Sequence, residues 1–440
     1  MRPLKAYTYF MSSILLILCL MLSFSPSYSQ AKDDNYGNTP DEMVPYGRFQ
    51  DPYQLFFAEP YPFLGPGREK KAPEGLTSIK IGFLGPLEGS VEKDLGTQML
   101  NGAQLALNEA NKKGGYKGIP YELMIHNDVG LWGAAANEVV KMDDEKVWAI
   151  LGSIDGTVTH VALRVALKVE IPMVNTGDTD PTLTETRIPW IIRIVGDDRQ
   201  SSYALVNYIF KQQDHERVAV IRANSRYGRV GIGEFRDSAR RIGFPIVLEV
   251  RYDDGETDFS VQLERIKKVS PDAVMVWGNA KEAGMIVNQF KEMGMNMPLF
   301  GSDRLATTEF LEIAGKNAEG IVTTNSYNPN LETEALQAFN RNYKEKYDKE
   351  PNTFAAHAYD GMNILIKSIE IAGLNRALIR DKLTDLKTFQ GYQGITGEII
   401  LDPSWNDIGK IWMVKIKDGE FIYSPAPIRD IELTGRIAED

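Results

Sequence analysis

Residues 79–110 read IKIGFLGPLEGSVEKDLGTQMLNGAQLALNEA, and this stretch decides the fold class. Its first six residues, 79–84, are apolar apart from Lys80, which is typical of a buried strand. Gly85-Pro86 then turns the chain, and apolar residues recur at helical spacing at Met99, Ala103, Leu107 and Ala110. A strand followed by an amphipathic helix is the unit that builds helix-covered parallel sheets.

The alternation of strand and helix continues along the chain in two series. The first series predicts strands near 121–126, 147–151 and 171–175, with helices near 133–144 and 157–168. The second predicts strands at 217–221, 245–250, 273–276, 298–300 and 320–324, with helices near 199–212, 228–243, 258–269, 281–293 and 307–314. The pattern then becomes helical, and 397–414 alternates as two short strands around Asp402-Pro403. Two similar series predict an α/β protein of two lobes, each a helix-covered parallel sheet, with the ligand site in the cleft between them.

The first thirty residues have the three regions of a secretory signal peptide. Arg2 and Lys5 precede an apolar run at 14–22, and Ser27-Tyr28-Ser29 offers a small-x-small cleavage site. An uncleaved membrane anchor is the alternative, but this run is well short of the roughly 20 residues that a spanning helix needs. We therefore expect residues 1–29 to be removed and the mature chain to be periplasmic.

The mature chain is expected to begin with an arm, residues 30–77, which is rich in proline and aromatic residues. Proline suppresses helix and central strand, while the aromatic rings favour packing of part of the arm on the body. Cys19, the single cysteine, lies in the segment that cleavage removes. We therefore expect no disulfide, thiolate zinc site or cysteine nucleophile in the mature protein.

Several classes of function lack support in the sequence. The net charge is -11 and the chain has no block of basic residues, which argues against binding of nucleic acid. The four histidines, His126, His160, His215 and His357, show no paired ligand spacing, and no hydrolase, P-loop or kinase motif is present. The glycines of 227–233 follow a strand, but their order is G-x-x-G-x-G and not the dinucleotide-binding G-x-G-x-x-G, so we attribute them to a tight turn and close packing. We expect no cofactor, no metal and no catalysis.

Two polar loops follow neighbouring predicted strands. Residues 152–157, GSIDGT, leave a strand through small residues and enter a helix, where free backbone N–H groups suit a carboxylate or another anion. A plain strand-to-helix turn with an N-cap is the alternative. Residues 175–181, NTGDTDP, form the second loop at the same sheet edge, where the carboxyl ends of strands line a ligand crevice.

An ordered series of short motifs resembles the branched-chain-amino-acid-type periplasmic binding proteins of ABC transporters. The motifs are Gly82-Phe83-Leu84-Gly85-Pro86-Leu87, Leu100-Asn101-Gly102-Ala103, Asn127-Asp128, Arg226-Tyr227-Gly228, Asp258-Phe259-Ser260 and Gly301-Ser302-Asp303. The resemblance covers about 78–420 and implies the type I periplasmic-binding fold, whose chain crosses between lobes three times. We place the crossings near 196–198, 325–328 and 402–403. The predicted N-terminal lobe is then 78–196 plus 328–402, the C-terminal lobe is 197–327 plus 403–425, and 426–440 is a tail.

The resemblance also implies ligand-binding residues. Backbone groups of Asp155, Gly156, Thr157 and Gly177, together with Thr179, are expected to hold the α-carboxylate and ammonium of an amino acid. Asp303 matches the family's acidic partner of the ammonium, and Tyr227 matches an aromatic residue that covers the ligand. Such roles fit a zwitterion removed from water, which needs donors at one end and a carboxylate at the other.

Three residues depart from the family pattern. Asp155 stands where a small neutral residue or cysteine is common, Asp178 adds an acid beside Thr179, and Asn279 replaces an aromatic lining position. These residues favour a ligand with hydrogen-bond donors or positive charge over leucine or valine. Alternatively, both aspartates cap the helices that follow their loops and leave the pocket neutral.

The sequence therefore predicts a monomeric extracytoplasmic solute-binding component of an ABC importer. It would close around an amino acid or similar small polar solute and deliver it to the membrane permease. A ligand-sensing subunit of a membrane signalling receptor would share every site residue, and a secreted α/β enzyme is the third hypothesis.

Overall fold

The computed structural model describes residues 66–389 and 391–426. The predicted signal peptide, most of the predicted arm and the end of the predicted tail therefore lie outside the described residues. Within the described part, no helix is both long and apolar enough to cross a membrane.

The first sheet has five parallel strands in the order β2-β1-β3-β4-β5. These strands are β1 Ile79–Gly85, β2 Tyr121–Asn127, β3 Ile150–Gly152, β4 Met173–Asn175 and β5 Ile191–Arg193. Its helices are α1 Lys93–Lys112, α2 Trp132–Asp144, α3 Gly156–Val169, α4 Thr182–Glu185, α10 Glu334–Tyr347, α11 Thr353–Ala372 and α12 Arg376–Thr384. This sheet and these helices form the first lobe.

The second sheet has seven strands in the order β14-β13-β10-β9-β8-β6-β7. Its parallel strands are β6 Val218–Ala223, β7 Leu248–Tyr252, β8 Ala273–Trp277, β9 Leu299–Gly301 and β10 Val322–Asn325. The antiparallel strands β13 Trp412–Lys417 and β14 Glu420–Pro425 extend it beyond β10. Its helices are α5 Asp198–Val206, α6 Arg226–Arg241, α7 Ser260–Val269, α8 Ala280–Glu292 and α9 Thr308–Ala314. This sheet and these helices form the second lobe, and β11 Tyr392–Gln393 pairs with β12 Glu398–Ile399 as a separate ribbon.

Each sheet is covered on both faces because alternate residues of a strand point to opposite sides. In β1, Ile81 and Phe83 pack with Met99 of α1 and with residues of α11, whereas Leu84 packs with residues of α2 and α3. The same alternation divides the second lobe, where residues of β6 and β8 pack on α7 and α8 at one face and on α5 and α6 at the other. The predicted two-lobe α/β class is confirmed.

Several elements differ from the sequence prediction. Strand β5 is three residues long, too short for a periodic pattern, and neither it nor β14 nor α12 was predicted. The predicted helix near 199–212 is α-helical through Val206 and continues as a π-helical segment, Asn207–Gln212. The predicted crossing at 402–403 falls a few residues early, because Trp405 packs in the core of the first lobe and Asn406 bridges to Arg193 of β5.

Gly228 and Gly231 show the close packing that the sequence predicts, whereas Gly233 does not, and all three lie within α6 and not in the predicted tight turn. A Cβ at Gly228 would collide with the carbonyl of Ala223, and a Cβ at Gly231 would collide with the indole of the fully buried Trp277. These contacts let the start of α6 approach β6 and β8 closely. They bring Tyr227 to the edge of the sheet.

Candidate functional site

All nine predicted site residues lie in loops or helix starts at the carboxyl ends of parallel strands. The loops after β3 and β4 hold those of the first lobe: Asp155, Gly156, Thr157, Gly177, Asp178 and Thr179. The loops after β6, β8 and β9 hold those of the second lobe: Tyr227, Asn279 and Asp303. This is the edge at which open α/β sheets bind ligands.

The carboxylate of Asp155 caps helix α3. Its Oδ1 accepts hydrogen bonds from the backbone N–H of Thr157 at 2.8 Å and of Val158 at 3.1 Å. The Thr157 N–H, which was predicted to bind a ligand anion, is therefore bonded to a carboxylate of the protein itself, together with the N–H of Val158. Of the two predicted roles of Asp155, the structure shows the one in which it caps the helix that follows its loop.

An ion pair between the two lobes lies over the first residue of α3. Nε of Arg226 donates to Oδ2 of Asp180 at 2.6 Å, and Nη2 donates to the Thr182 hydroxyl at 3.0 Å. A Cβ on Gly156 would stand 3.0 Å from both Nε of Arg226 and Oδ2 of Asp180. Burial acts to raise the pKa of Asp180, but hydrogen bonds from His160 and Thr182 and the charge of Arg226 outweigh it and leave the pKa below its ordinary value.

The loop after β4 buries a carboxylate that is only half satisfied. Oδ1 of Asn175 accepts from the N–H of Asp178 at 3.0 Å, and Oδ1 of Asp178 accepts from the N–H of Asp180 at 3.0 Å. Oδ2 of Asp178 has no partner among the described residues, although the residue is only 2% exposed. Burial and the neighbouring charge of Asp180 raise the pKa of Asp178 well above its ordinary value.

Gly177 and Thr179 position this loop. A Cβ on Gly177 would stand 3.1 Å from Ile154 and 3.3 Å from Phe354, so the backbone lies close against both side chains. The carbonyl of Thr179 accepts from the N–H of Asp198 at 2.8 Å. This bond joins the loop to the start of α5, where the chain enters the second lobe.

Asp198 is a buried acid at this first crossing. It is 1% exposed, and neither carboxylate oxygen makes a hydrogen bond of ordinary geometry within the described residues. Burial, followed by the charge of Asp303, raises the pKa of Asp198 well above its ordinary value, while the nearby Thr179 hydroxyl acts in the opposite direction. Asp198 therefore belongs to the same electrostatic cluster as Asp303.

The second lobe contributes a tyrosine and a carboxylate that are directly bonded. The hydroxyl of Tyr227 donates to Oδ1 of Asp303. Burial raises the pKa of both groups, and the charge of Asp303 raises that of Tyr227 further. The guanidinium of Arg304 lies 3.9 Å from the centre of the Tyr227 ring, a cation–π contact.

Arg304 also links the lobes. Its Nη1 donates to Oε1 of Glu92, just before α1, at 2.5 Å, and to Oδ1 of Asn279. The Arg304 side chain is 4% exposed and that of Glu92 is 12% exposed. Asn279 therefore bonds directly to the arginine that links the two lobes.

The structure adds five residues that the sequence analysis did not select: Glu92, Asp180, Asp198, Arg226 and Arg304. Each lies within or next to a quoted motif, a predicted loop or a predicted crossing, except Glu92. Local sequence pattern does not identify them, because the ion partner of each, apart from Asp198, lies in the opposite lobe. Thr157 is exposed, which distinguishes it from the buried members of the site.

Two helix-covered sheets joined by three chain crossings, with polar loops of both facing each other, define a two-lobed binding protein. The chain belongs to the periplasmic binding protein family, whose model matches residues 78–420. The predicted family is confirmed. The proteins of this family bind solutes, and membership implies an extracytoplasmic location.

Relatives and solved structures agree with this assignment. The Leu/Ile/Val-binding protein BraC3 of Rhizobium johnstonii is 28% identical over 302 residues, covering 69% of this chain and 82% of the relative. The branched-chain amino acid transporter substrate-binding protein LivJ of Streptococcus pneumoniae, solved with isoleucine, has a TM-score of 0.73 and 28% identity, covering 79% of this chain and 99% of that one. The leucine-binding protein LivK of Thermotoga maritima has a TM-score of 0.72 and 26% identity, covering 79% and 97%. Homologues of this chain are therefore ABC-transporter substrate-binding proteins for branched-chain amino acids.

Proposed function

We propose that this protein is the extracytoplasmic solute-binding component of an ABC importer. The observation that carries the proposal is the meeting of polar groups from both lobes around buried carboxylates, with Asp178 from the first lobe, Asp198 at the first crossing, and Asp303 and Tyr227 from the second lobe. Buried polar groups at a cleft between lobes are the arrangement that recognises a small polar solute. The similarity to LivJ, a transporter substrate-binding protein, supports the same interpretation.

Closure around the solute would be the signal that the membrane permease reads. The pairs Arg226–Asp180 and Arg304–Glu92 join opposite lobes, so they form only when the cleft is shut. A solute that bridges the same loops would shift the population toward this closed form. The protein would bind and release the solute without a catalytic step, a cofactor or a metal.

Export and processing of the chain would precede solute binding. The predicted signal peptide, residues 1–29, would be removed on export, and the mature chain would act as a monomer in the periplasm. Residues 78–196 plus 328–402 and 197–327 plus 403–425 remain the proposed ligand-binding lobes, with the third crossing moved slightly later by the contacts of Trp405.

The test begins with the solute that the protein retains when purified from its own periplasm. Mass spectrometry identifies that solute. After the solute has been removed to give the stripped protein, small-angle scattering measures whether adding it back makes the protein more compact. Uptake of the labelled solute should fall in cells lacking the gene and return with wild type but not with Asp303→Asn. Asp237→Asn, which changes a partly exposed aspartate on α6, is the matched control and should restore uptake fully. Conversion of the solute to a product, or unchanged scattering and uptake, would overturn the proposal.

A further inference from the structure

The start of helix α3 is the place in this cleft where an anion would ordinarily bind. Backbone N–H groups and the helix dipole favour a carboxylate at such a position. Here the carboxylate of Asp155 already accepts from the N–H groups of Thr157 and Val158, at 2.8 and 3.1 Å. A second carboxylate would therefore meet like charge, and these two N–H groups are already bonded.

The arginines of the cleft are also paired with carboxylates of the protein. Arg226 bonds Asp180 at 2.6 Å, and Arg304 bonds Glu92 at 2.5 Å. Arg193, the last residue of β5, donates to Asp197 at 3.0 Å. Each of these three positive charges thus has a negative partner within the described residues, which leaves weak attraction for a ligand carboxylate.

The other buried acids of the cleft, in contrast, have carboxylate oxygens without enough hydrogen-bond donors. Oδ2 of Asp178 and both oxygens of Asp198 lack ordinary hydrogen bonds among the described residues, and the two side chains belong to residues that are 2% and 1% exposed. Asp303 interacts electrostatically with Asp198 and has Tyr227 as its hydrogen-bond donor. Buried carboxylates without partners are costly, and a ligand that donates N–H bonds or brings positive charge relieves that cost.

We propose that the cleft selects a solute that has an ammonium, amidinium or amide group and lacks a carboxylate. This inference rests on the proposed solute-binding function and narrows its ligand class. The N–H donors of the solute face Asp178, Asp198 and Asp303. Asp155 occupies the position of the α-carboxylate and excludes free amino acids.

Matched pairs of solutes test the inference because their members differ only at the carboxyl end. The pairs are leucine with leucinamide, leucine with 3-methylbutylamine, and arginine with agmatine, each titrated calorimetrically into the stripped mature protein. For at least one pair, the carboxylate-free member should bind about tenfold tighter or more, which corresponds to about 1.4 kcal/mol.

Two variants separate the roles of the acids. Asp155→Ser retains a capping oxygen but removes the charge, so affinity for the free amino acid of the pair should rise about tenfold. Asp178→Asn removes a charge near the ammonium or amide, so affinity for the carboxylate-free member should fall about tenfold. Thr333→Ser, at the N-cap of α10, and Asp237→Asn are the controls and should leave both affinities unchanged. Circular dichroism checks that each variant is folded.

The outcomes distinguish this inference from the proposed function. Tighter binding of leucine or arginine than of their carboxylate-free partners would overturn the inference and direct the carboxylate to Arg226, while leaving the solute-binding role intact. Binding of no pair member would also overturn it. The solute-binding proposal fails separately, by the outcomes of its own test: conversion of the solute to a product, or scattering and uptake that do not change.

Discussion

The guanidinium of Arg304 and the carboxylate of Glu92 lie 2.5 Å apart, although they belong to different lobes and are 212 positions apart in the chain. The charge of Glu92 raises the already high pKa of Arg304 against the effect of burial, so the guanidinium stays charged. Opening the cleft would separate them. The bond therefore contributes to the closed arrangement described here.

Glu92→Gln should weaken this arrangement, because the amide can still accept from Arg304 but removes the negative charge that acts most strongly on its buried guanidinium. We expect a loss of about 1–3 kcal/mol from the free energy of unfolding, measured with urea. Scattering should also show a larger radius of gyration in the stripped protein. The control is Glu88→Gln, which breaks the exposed pair with Lys93 and should cost about 0–1 kcal/mol. Equal effects of the two variants would show that the cross-lobe pair has no special role.

Asp303→Asn should remove most solute binding, because the donor group of the solute loses its charged partner in a buried site. The expected cost in binding free energy is roughly 2–5 kcal/mol, measured by calorimetry with the solute that co-purifies. The fold should survive, since the amide oxygen of the substituted side chain can still accept from Tyr227. Tyr227→Phe retains the carboxylate and should cost less. Wild-type affinity in the Asp303 variant would show that this acid does not contact the solute.

Binding should release protons and should weaken as the pH falls. The pKa values of Asp178 and Asp198 are raised by burial and by neighbouring acids, so each retains its proton to a higher pH than an ordinary aspartate. The charged groups that act on them are Asp155, Asp180, Arg193, Asp197 and Asp303. A solute with positive charge favours the ionised acids and lowers both pKa values, which expels protons. Calorimetry in buffers of different ionisation enthalpy measures this release, and proton uptake would contradict a cationic or N–H-donating ligand.

The short segment Pro66–Glu69 is held on the first lobe by Asn375. Its Nδ2 donates to the carbonyls of Gly67, Arg68 and Lys70 at 2.9, 3.2 and 2.9 Å, while its Oδ1 caps α12. Asn375→Asp keeps the cap and removes these donors, so thermal unfolding should show a loss of about 1–3 kcal/mol. Asn352→Asp at the N-cap of α11, where the side-chain oxygen makes the capping bonds, is the control and should be near neutral.

The same experiment bears on the predicted arm. Most of residues 30–77 lies outside the described residues, and its packing on the body remains a prediction. If the arm covers apolar surface, deletion of 31–65 should lower the melting temperature without changing the choice of solute, each buried ring contributing of order 1.5–3 kcal/mol before entropy is subtracted. An unchanged melting temperature together with rapid proteolysis of the arm would indicate a free tether.

Local pattern was enough to predict the two lobes and most of their elements. Strand β1 could be predicted because its residues form an almost continuous apolar run, and helix α1 because its apolar residues recur at helical spacing. The glycines near Tyr227 predicted close packing, which Gly231 makes against Trp277. Capping of α3 by Asp155 was foreseen as an alternative, since an N-cap depends on residues two and three positions away. Strand β5 could not be predicted, because three residues are too few to show the periodic pattern that identifies a strand.

The sequence by itself determined that this chain forms two α/β lobes with acidic loops at the carboxyl ends of their strands. Only the tertiary structure decided which of those acids have partners. Asp180 is neutralised by Arg226, 46 positions away and in the other lobe, whereas Asp178, two residues before it, keeps an unpaired buried oxygen among the residues described. Both aspartates occur in one short polar loop and look alike in sequence. Their difference arises because charge pairing depends on distances across the cleft, which local pattern does not encode.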